Sequence, residues 1–120
     1  MNKRDEARME QALARYLTDA CEAAKAELVG FSWLTHEIDY ARFPQSLQIT
    51  WIFETEGQKA AMRGAGAARI ESLTRDALEQ AGIDIKALMA PVHLDSEEAC
   101  QQIDGGNWSR RLARRLATKH

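Results

Sequence analysis

The sequence predicts one small α+β (two-layer α/β) domain in which helices pack on one face of a three-stranded, mainly antiparallel sheet. Three observations predict this class: an amphipathic helical pattern at the amino terminus, two strand-like runs after it, and a second helical pattern beyond them. A chain of 120 residues has room for one hydrophobic core, and its 45% apolar residues suffice to fill one. The predicted order is α-β-β-α-β-α-α.

The first helix is predicted over residues 4–29. Its apolar residues recur at steps of three and four and form one stripe, which comprises Met9, Leu13, Tyr16, Leu17, Ala20, Ala24 and Leu28. Asp5 and Glu6 fall in the first turn, where the helix dipole favours acids. Gly30 is suited to end the helix in a left-handed conformation.

A β-hairpin is predicted next, because residues 31–40 are rich in aromatic and β-branched side chains and residues 47–53 alternate. Pro44 lies in the turn between the two strands. Trp33 and Trp51 fall in the two strands, and a domain of this size needs its aromatic residues in the core. The alternative is an exposed platform on which nucleic-acid bases or a partner could stack.

The second half predicts a helix over residues 67–81, a short strand over 91–94 and two final helices. Asp95 or Ser96 can cap the helix that begins at Glu97. In the last helix Trp108, Leu112 and Leu116 recur at four-residue steps, which predicts an apolar face with the arginines directed outward. We interpret residues 1–106 as the core domain and residues 107–120 as a basic helix that belongs to it or binds a partner.

Charge is distributed unevenly along the chain. The last 14 residues carry five basic side chains and no acid, whereas the first 106 residues carry 11 basic and 18 acidic side chains. An acidic body is unlike the wide positive surface of a dedicated nucleic-acid-binding protein, although the tail by itself could contact phosphate. The basic residues predicted to contact nucleic acid or a partner are Arg63, Arg69, Arg110, Arg111, Arg114 and Arg115.

Residue patterns for catalysis, metal binding or cofactor binding are absent from the sequence. The histidines and the cysteines Cys21 and Cys100 match no zinc or redox spacing, and free thiols are expected. A metal or acid–base site would require His36, Asp39 and His93 to meet on one face of the sheet. Because no apolar run approaches the roughly 20 residues that span a bilayer and the amino terminus lacks a secretory signal, we expect a cytoplasmic protein without membrane contact.

The segment Gly64-Ala65-Gly66 precedes a predicted helix, whose free N–H groups can bind anions. It resembles the Gly-x-x-Gly loop with which KH domains hold a nucleic-acid backbone, and the order of elements over residues 4–94 is similar to the bacterial KH arrangement. Ile70 matches the aliphatic residue at the start of that family's helix, whereas Ala67 replaces the final glycine. The alternative is a flexible Ala/Gly-rich helix start without a ligand.

Several longer segments resemble a small family of bacterial proteins often labelled transcriptional regulators of the Fis (factor for inversion stimulation) type. These segments are Gly30-Phe31-Ser32-Trp33-Leu34-Thr35-His36, Phe43-Pro44-Gln45-Ser46-Leu47, Asp95-Ser96-Glu97-Glu98-Ala99-Cys100, Gly106-Asn107-Trp108 and Arg111-Leu112-Ala113. The resemblance implies a helix-turn-helix unit that reads DNA. Acidic residues at 95, 97, 98 and 104 precede the basic helix and would repel phosphate.

Two functional hypotheses follow from the sequence. The first is a non-enzymatic binding module with weak contact to RNA, ribosome or DNA through the basic residues. The second is a protein-interaction or homodimer module that uses Trp108, Leu112 and Leu116 or an exposed face of the hairpin.

Overall fold

The structure is a computed structural model that describes residues 1–88 and 91–118, with side chains described as far as residue 115. Its helices and strands are α1 (Lys3–Glu27), β1 (Phe31–Glu37), β2 (Gln48–Phe53), α2 (Glu56–Ala60), α3 (Ala65–Gln80), β3 (Val92–Ser96), α4 (Glu97–Asp104) and α5 (Trp108–Thr118). Single 3₁₀ turns lie at Tyr40–Arg42 and Ile85–Ala87. The predicted α+β class is confirmed, with the short helix α2 as an additional element.

The sheet has the strand order β1-β2-β3. The hairpin prediction is confirmed, because β1 and β2 pair antiparallel with Leu34 opposite Trp51. β3 pairs parallel to β2, with Trp51 opposite Leu94, so the sheet is mixed. The parallel direction follows from the connection, since α2 and α3 form a crossover that returns the chain to the end of the sheet where β2 began.

One face of the sheet carries the hydrophobic core. Ile49, Trp51 and Phe53 lie on this face and are fully buried against the apolar stripes of α1 and α3. The Trp51 ring lies 5.1 Å from the Phe31 ring, and its indole N–H donates to the Thr74 hydroxyl at 3.2 Å. Trp51 is therefore a core residue, as predicted.

The second face of the sheet is covered as well. Gln48, Thr50 and Ile52 point to this side of β2 and are buried. α5 crosses this face, and its Trp108 ring meets the half-buried Trp33 ring edge-on at 5.3 Å. The expectation that helices cover one face is thus incomplete, because every side chain of β2 is buried.

No helix within the described ranges combines the length and the apolar character that a bilayer span requires. The two cysteines are free thiols, as expected, with Cys100 buried in α4.

Candidate functional site

The basic residues of α5 contact two buried carboxylates of their own chain. Arg111 donates through Nε and Nη2 to Asp95 at 2.7 and 2.9 Å and through Nη1 to Asp104 at 2.8 Å. Arg115 donates to Asp95 at 2.6 Å and to the Thr50 hydroxyl at 2.8 Å. These two guanidinium groups face the sheet and fasten α5 to it.

The other two tail arginines lie at the solvent side of the same cluster. Arg114 donates through both terminal nitrogens to Asp104 at 2.9 and 3.0 Å, and Arg110 donates to the Asp104 carbonyl at 2.9 Å. Their side chains remain more than half exposed, whereas the Asp104 side chain is 1% exposed. Four arginines therefore share two carboxylates, and the cluster keeps a formal excess of two positive charges.

The arginines stabilise the ionised form of both aspartates. Burial by itself would raise the pKa of Asp95. Hydrogen bonds from Arg111, the Ser96 N–H and Arg115, together with the Arg111 charge, hold that pKa below its ordinary value. Hydrogen bonds from Arg114 and Arg111 lower the pKa of Asp104 to about 2. Both carboxylates are consequently charged at neutral pH, and α5 is held by charge-assisted hydrogen bonds.

The predicted outward direction of the α5 arginines is wrong for two of them. Trp108, Arg111 and Arg115 are spaced at three and four residues and form the inward face, with Leu112 half-buried beside them. The physical reason is the polar second face of the sheet, where the buried charge of Asp95 is compensated by Arg111 and Arg115. Leu116, the third predicted interface residue, lies outside the residues whose side chains the structure describes.

Trp108 also has partners within its own chain. The Glu97 carboxylate accepts from the Trp33 indole at 2.6 Å and from the Trp108 indole at 3.1 Å. Glu97 lies in the first turn of α4 and, through these two bonds, joins β1, α4 and α5. Of the predicted interface residues, Trp108 is thus used inside the domain.

The lowered pKa of Asp104 predicts a specific dependence of stability on pH. A carboxyl group whose pKa falls from 3.8 to about 2 on folding contributes stability that is complete above pH 4 and is lost as the pH falls through 2. We therefore expect Asp104→Asn to lower the urea midpoint of unfolding strongly at pH 6 and much less at pH 2. The exposed control Asp19→Asn should change it little at either pH. A loss that is equal at pH 6 and pH 2 would contradict this account.

The histidines do not form a common site. His36 lies on the core side of the sheet, where its Nε2 is 3.0 Å from Glu10, and Tyr40 donates to the same carboxylate at 2.6 Å. His93 lies opposite Thr50 and therefore on the other face, with β2 between the two histidine strands. The described residues contain no group of three or more His, Cys, Asp or Glu side chains placed to hold a metal ion.

The glycine segment forms the turn between α2 and α3. Gly64 is the N-cap of α3 and has φ of 57° and ψ of −119°, a conformation that favours glycine because a side chain would be strained there. No side chain caps this helix, and the space beside Gly64 is open to a distance of 4 Å. The Gly66 N–H donates to the Arg63 carbonyl at 3.2 Å, whereas the N–H groups of Ala65 and Ala67 have no acceptor among the described residues and can bind an anion.

The two predicted contact residues beside this turn differ in their surroundings. Arg63 directly precedes the turn and is exposed. Arg69 donates to both carboxylate oxygens of Glu27 at 2.7 and 3.1 Å, and both side chains are about two-fifths exposed. Exposed ion pairs of this kind contribute little to stability because water screens them, so Arg69 can change partner readily.

An apolar groove of about 500 Å³ begins at the first turn of α3, next to the glycine turn. It runs between α3 and β3 and is lined by Ala67, Ile70, Glu71, Ile85, Lys86, Pro91, Val92 and Leu94. β3 is the last strand of the sheet, and its outer edge carries no strand in the described part of the chain. Since the Ile49 N–H donates to the Pro91 carbonyl, the alternation of a parallel ladder directs the backbone groups of Val92 and Leu94 toward this free edge.

The structure thus brings together the glycine turn, Arg63 and a groove that the sequence did not predict. It places the four tail arginines on the opposite face of the sheet. A comparison of the chain with protein-family models, with curated proteins and with solved structures finds no match.

Proposed function

We propose that the protein is a non-enzymatic module that binds single-stranded nucleic acid, RNA or DNA, in the groove between α3 and β3. The observation that carries the proposal is the continuity of an uncapped glycine turn with an apolar groove beside an open strand edge. A single strand presents a phosphate backbone, which free N–H groups can bind, and unstacked bases, which an apolar groove can bind. The two binding surfaces must therefore lie next to each other.

The glycine turn supplies the phosphate contact. Anions are stabilised by free N–H groups at a helix N-terminus, and the absence of a side chain at Gly64 allows a phosphate to approach the backbone closely. Arg63 adds a positive charge next to this turn, and Arg69 adds a second one when it leaves Glu27. The residues of this turn resemble the Gly-x-x-Gly loop of KH domains, with Ala67 in place of the final glycine.

The groove supplies the contact with the bases. Ile70, Val92 and Leu94 offer an apolar surface to a base, and Lys86 and Glu71 lie at its rim with a donor and an acceptor. Backbone N–H and C=O groups at the edge of β3 can pair with base edges that are free in a single strand. We expect micromolar or weaker affinity and strong salt dependence, because the chain as a whole carries a net charge of −2.

The tail arginines have a structural role in this proposal. Arg111 and Arg115 are mostly buried and already donate to buried aspartates. Of the four tail arginines, Arg110 and Arg114 are the exposed ones that a polyanion can reach. Binding through the tail would place the ligand on the face opposite the groove.

Two aspartate substitutions separate these locations. Ala65→Asp adds a carboxylate at the first residue of α3, where the helix dipole favours acids, so the fold is retained while phosphate is repelled. We expect this variant to bind a fluorescent eight-nucleotide oligouridine about tenfold more weakly than the wild type in an anisotropy titration at low salt. The matched control Ala113→Asp, at an exposed position of α5, should change the affinity less than twofold.

The opposite pattern would overturn the assignment. A larger loss for Ala113→Asp than for Ala65→Asp would place the ligand on the tail. An absence of binding by the wild-type protein to oligouridine and to oligothymidine would refute the function. A molecular mass that rises with protein concentration in sedimentation, without binding of nucleic acid, would instead favour the protein-interaction or homodimer module.

A further inference from the structure

The second face of the sheet contains buried acceptors that lack a donor. Both carboxylate oxygens of Glu37 and the side-chain oxygen of Gln48 are buried and have no hydrogen-bond partner. Glu37 and Gln48 are directly opposite each other in the β1–β2 register, so their side chains lie on the same face with Cβ atoms about 5 Å apart. Two unsatisfied acceptors side by side are unfavourable unless a proton is added between them.

We propose that Glu37 is a proton-operated latch for α5: the helix docks while the Glu37 carboxyl is protonated and donates to Gln48, and loss of this proton loosens the helix. Glu37 lies on the face of the sheet opposite the groove and takes no part in the proposed binding of nucleic acid.

The surroundings of Glu37 support a neutral carboxyl group in the docked state. Burial raises the pKa of Glu37 to about 7, and the nearby Arg115 charge counteracts this rise only in part. β3 contributes His93 and Asp95 to this face, and Asp95 accepts from Arg111 and Arg115. The helices packed on it contribute further charged groups, each with a partner: Glu97, Asp104, Arg111, Arg114 and Arg115. Arg115 already donates to Thr50 and Asp95, so an ionised Glu37 would compete with Asp95 for it.

The direction of the effect follows from proton linkage. Arg115 of α5 contacts Thr50 on the same face, next to the Glu37–Gln48 pair. We infer that undocking of α5 exposes Glu37 to water, where its pKa has the ordinary value of 4.5. The docked state therefore binds more protons than the undocked state between these two pKa values, and docking weakens as the pH rises through this interval. Between pH 5.5 and pH 8 the docking equilibrium is expected to fall by about ten- to thirtyfold.

Amide hydrogen exchange tests the latch on the full chain. We expect the protection factors of the α5 amides to fall about ten- to thirtyfold from pH 5.5 to pH 8. These factors are corrected for the intrinsic effect of pH on exchange and compared with those of the α1 amides. Glu37→Gln should remove this fall, because a glutamine is uncharged at both pH values and can donate to Gln48. The control Glu54→Gln, at an exposed position after β2, should keep it.

Two results would overturn the proposal. If α5 protection in Glu37→Gln falls with pH as much as in the wild type, another group such as His93 controls the helix. If the carbon-13 signal of the Glu37 carboxyl titrates near pH 4.5 in the wild-type protein, the carboxyl is not held neutral. The second measurement decides the question even if the glutamine variant does not fold.

Discussion

Replacing Arg111 with methionine is expected to lower the free energy of unfolding by about 3 kcal/mol. Arg111 is the one described side chain that bridges both Asp95 and Asp104, and its own side chain is only 14% exposed. Methionine fills similar volume but leaves each buried carboxylate with fewer donors. Since domains of this size are stable by about 5–15 kcal/mol, urea unfolding measured by circular dichroism will resolve the loss.

The same substitution one position earlier is the matched control for this prediction. Arg110 contacts Asp104 at 3.5 Å with a side chain that is 58% exposed, so Arg110→Met should cost less than about 1 kcal/mol. Equal losses of unfolding free energy for the two variants would show that the total positive charge of α5 holds the helix, and not the buried contacts of Arg111. A loss below 1 kcal/mol for Arg111→Met would show that the buried cluster does not stabilise the fold.

Trp51→Ala is expected to destabilise the protein by about 4 kcal/mol. The Trp51 side chain is fully buried against Phe31 and Thr74, and its truncation would leave a cavity beside them. The Thr74 hydroxyl would also lose the indole donor, although it keeps its bond to the Ile70 carbonyl. The change is measured by chemical denaturation, with Trp51→Phe as a milder variant if the alanine protein does not fold.

Trp33→Ala provides the comparison for the second face of the sheet. Trp33 is half-buried and touches Trp108 edge-on, so its truncation should cost about 2 kcal/mol. It should also change the fluorescence of the remaining tryptophans through Trp108. A larger cost for Trp33 than for Trp51 would mean that the contact with α5, rather than the core under α1 and α3, dominates stability.

Local patterns in the sequence were sufficient for most of the elements. The stripe of α1 and the alternation of β2 predict both elements to within about two residues of their observed ends, because each pattern repeats many times. Ser96 caps α4 through a 3.0 Å bond to the Ala99 N–H, one of the two caps predicted. The direction of β3 was harder to predict, since it depends on the path of the crossover and not on the residues of the strand.

The candidate site was predicted only in part. The glycine turn and Arg63 were identified from the sequence, because glycines before a helix and an adjacent arginine have a recognisable spacing. The groove could not be identified, since its walls come from α3, the turn at Ile85–Ala87 and β3, which meet only after folding. Glu37 was also missed, because a lone glutamate in a strand carries no sign of burial.

The sequence by itself determined the α+β class, the order of the elements and the concentration of positive charge in the last 14 residues. Only the tertiary structure decided where that charge is directed. Helical periodicity distinguishes one face of α5 from another, but it does not reveal which face meets the sheet or what the sheet presents there. Buried carboxylates at Asp95 and Asp104 attract Arg111 and Arg115 inward, because an uncompensated charge inside a protein is far less stable than one that is paired.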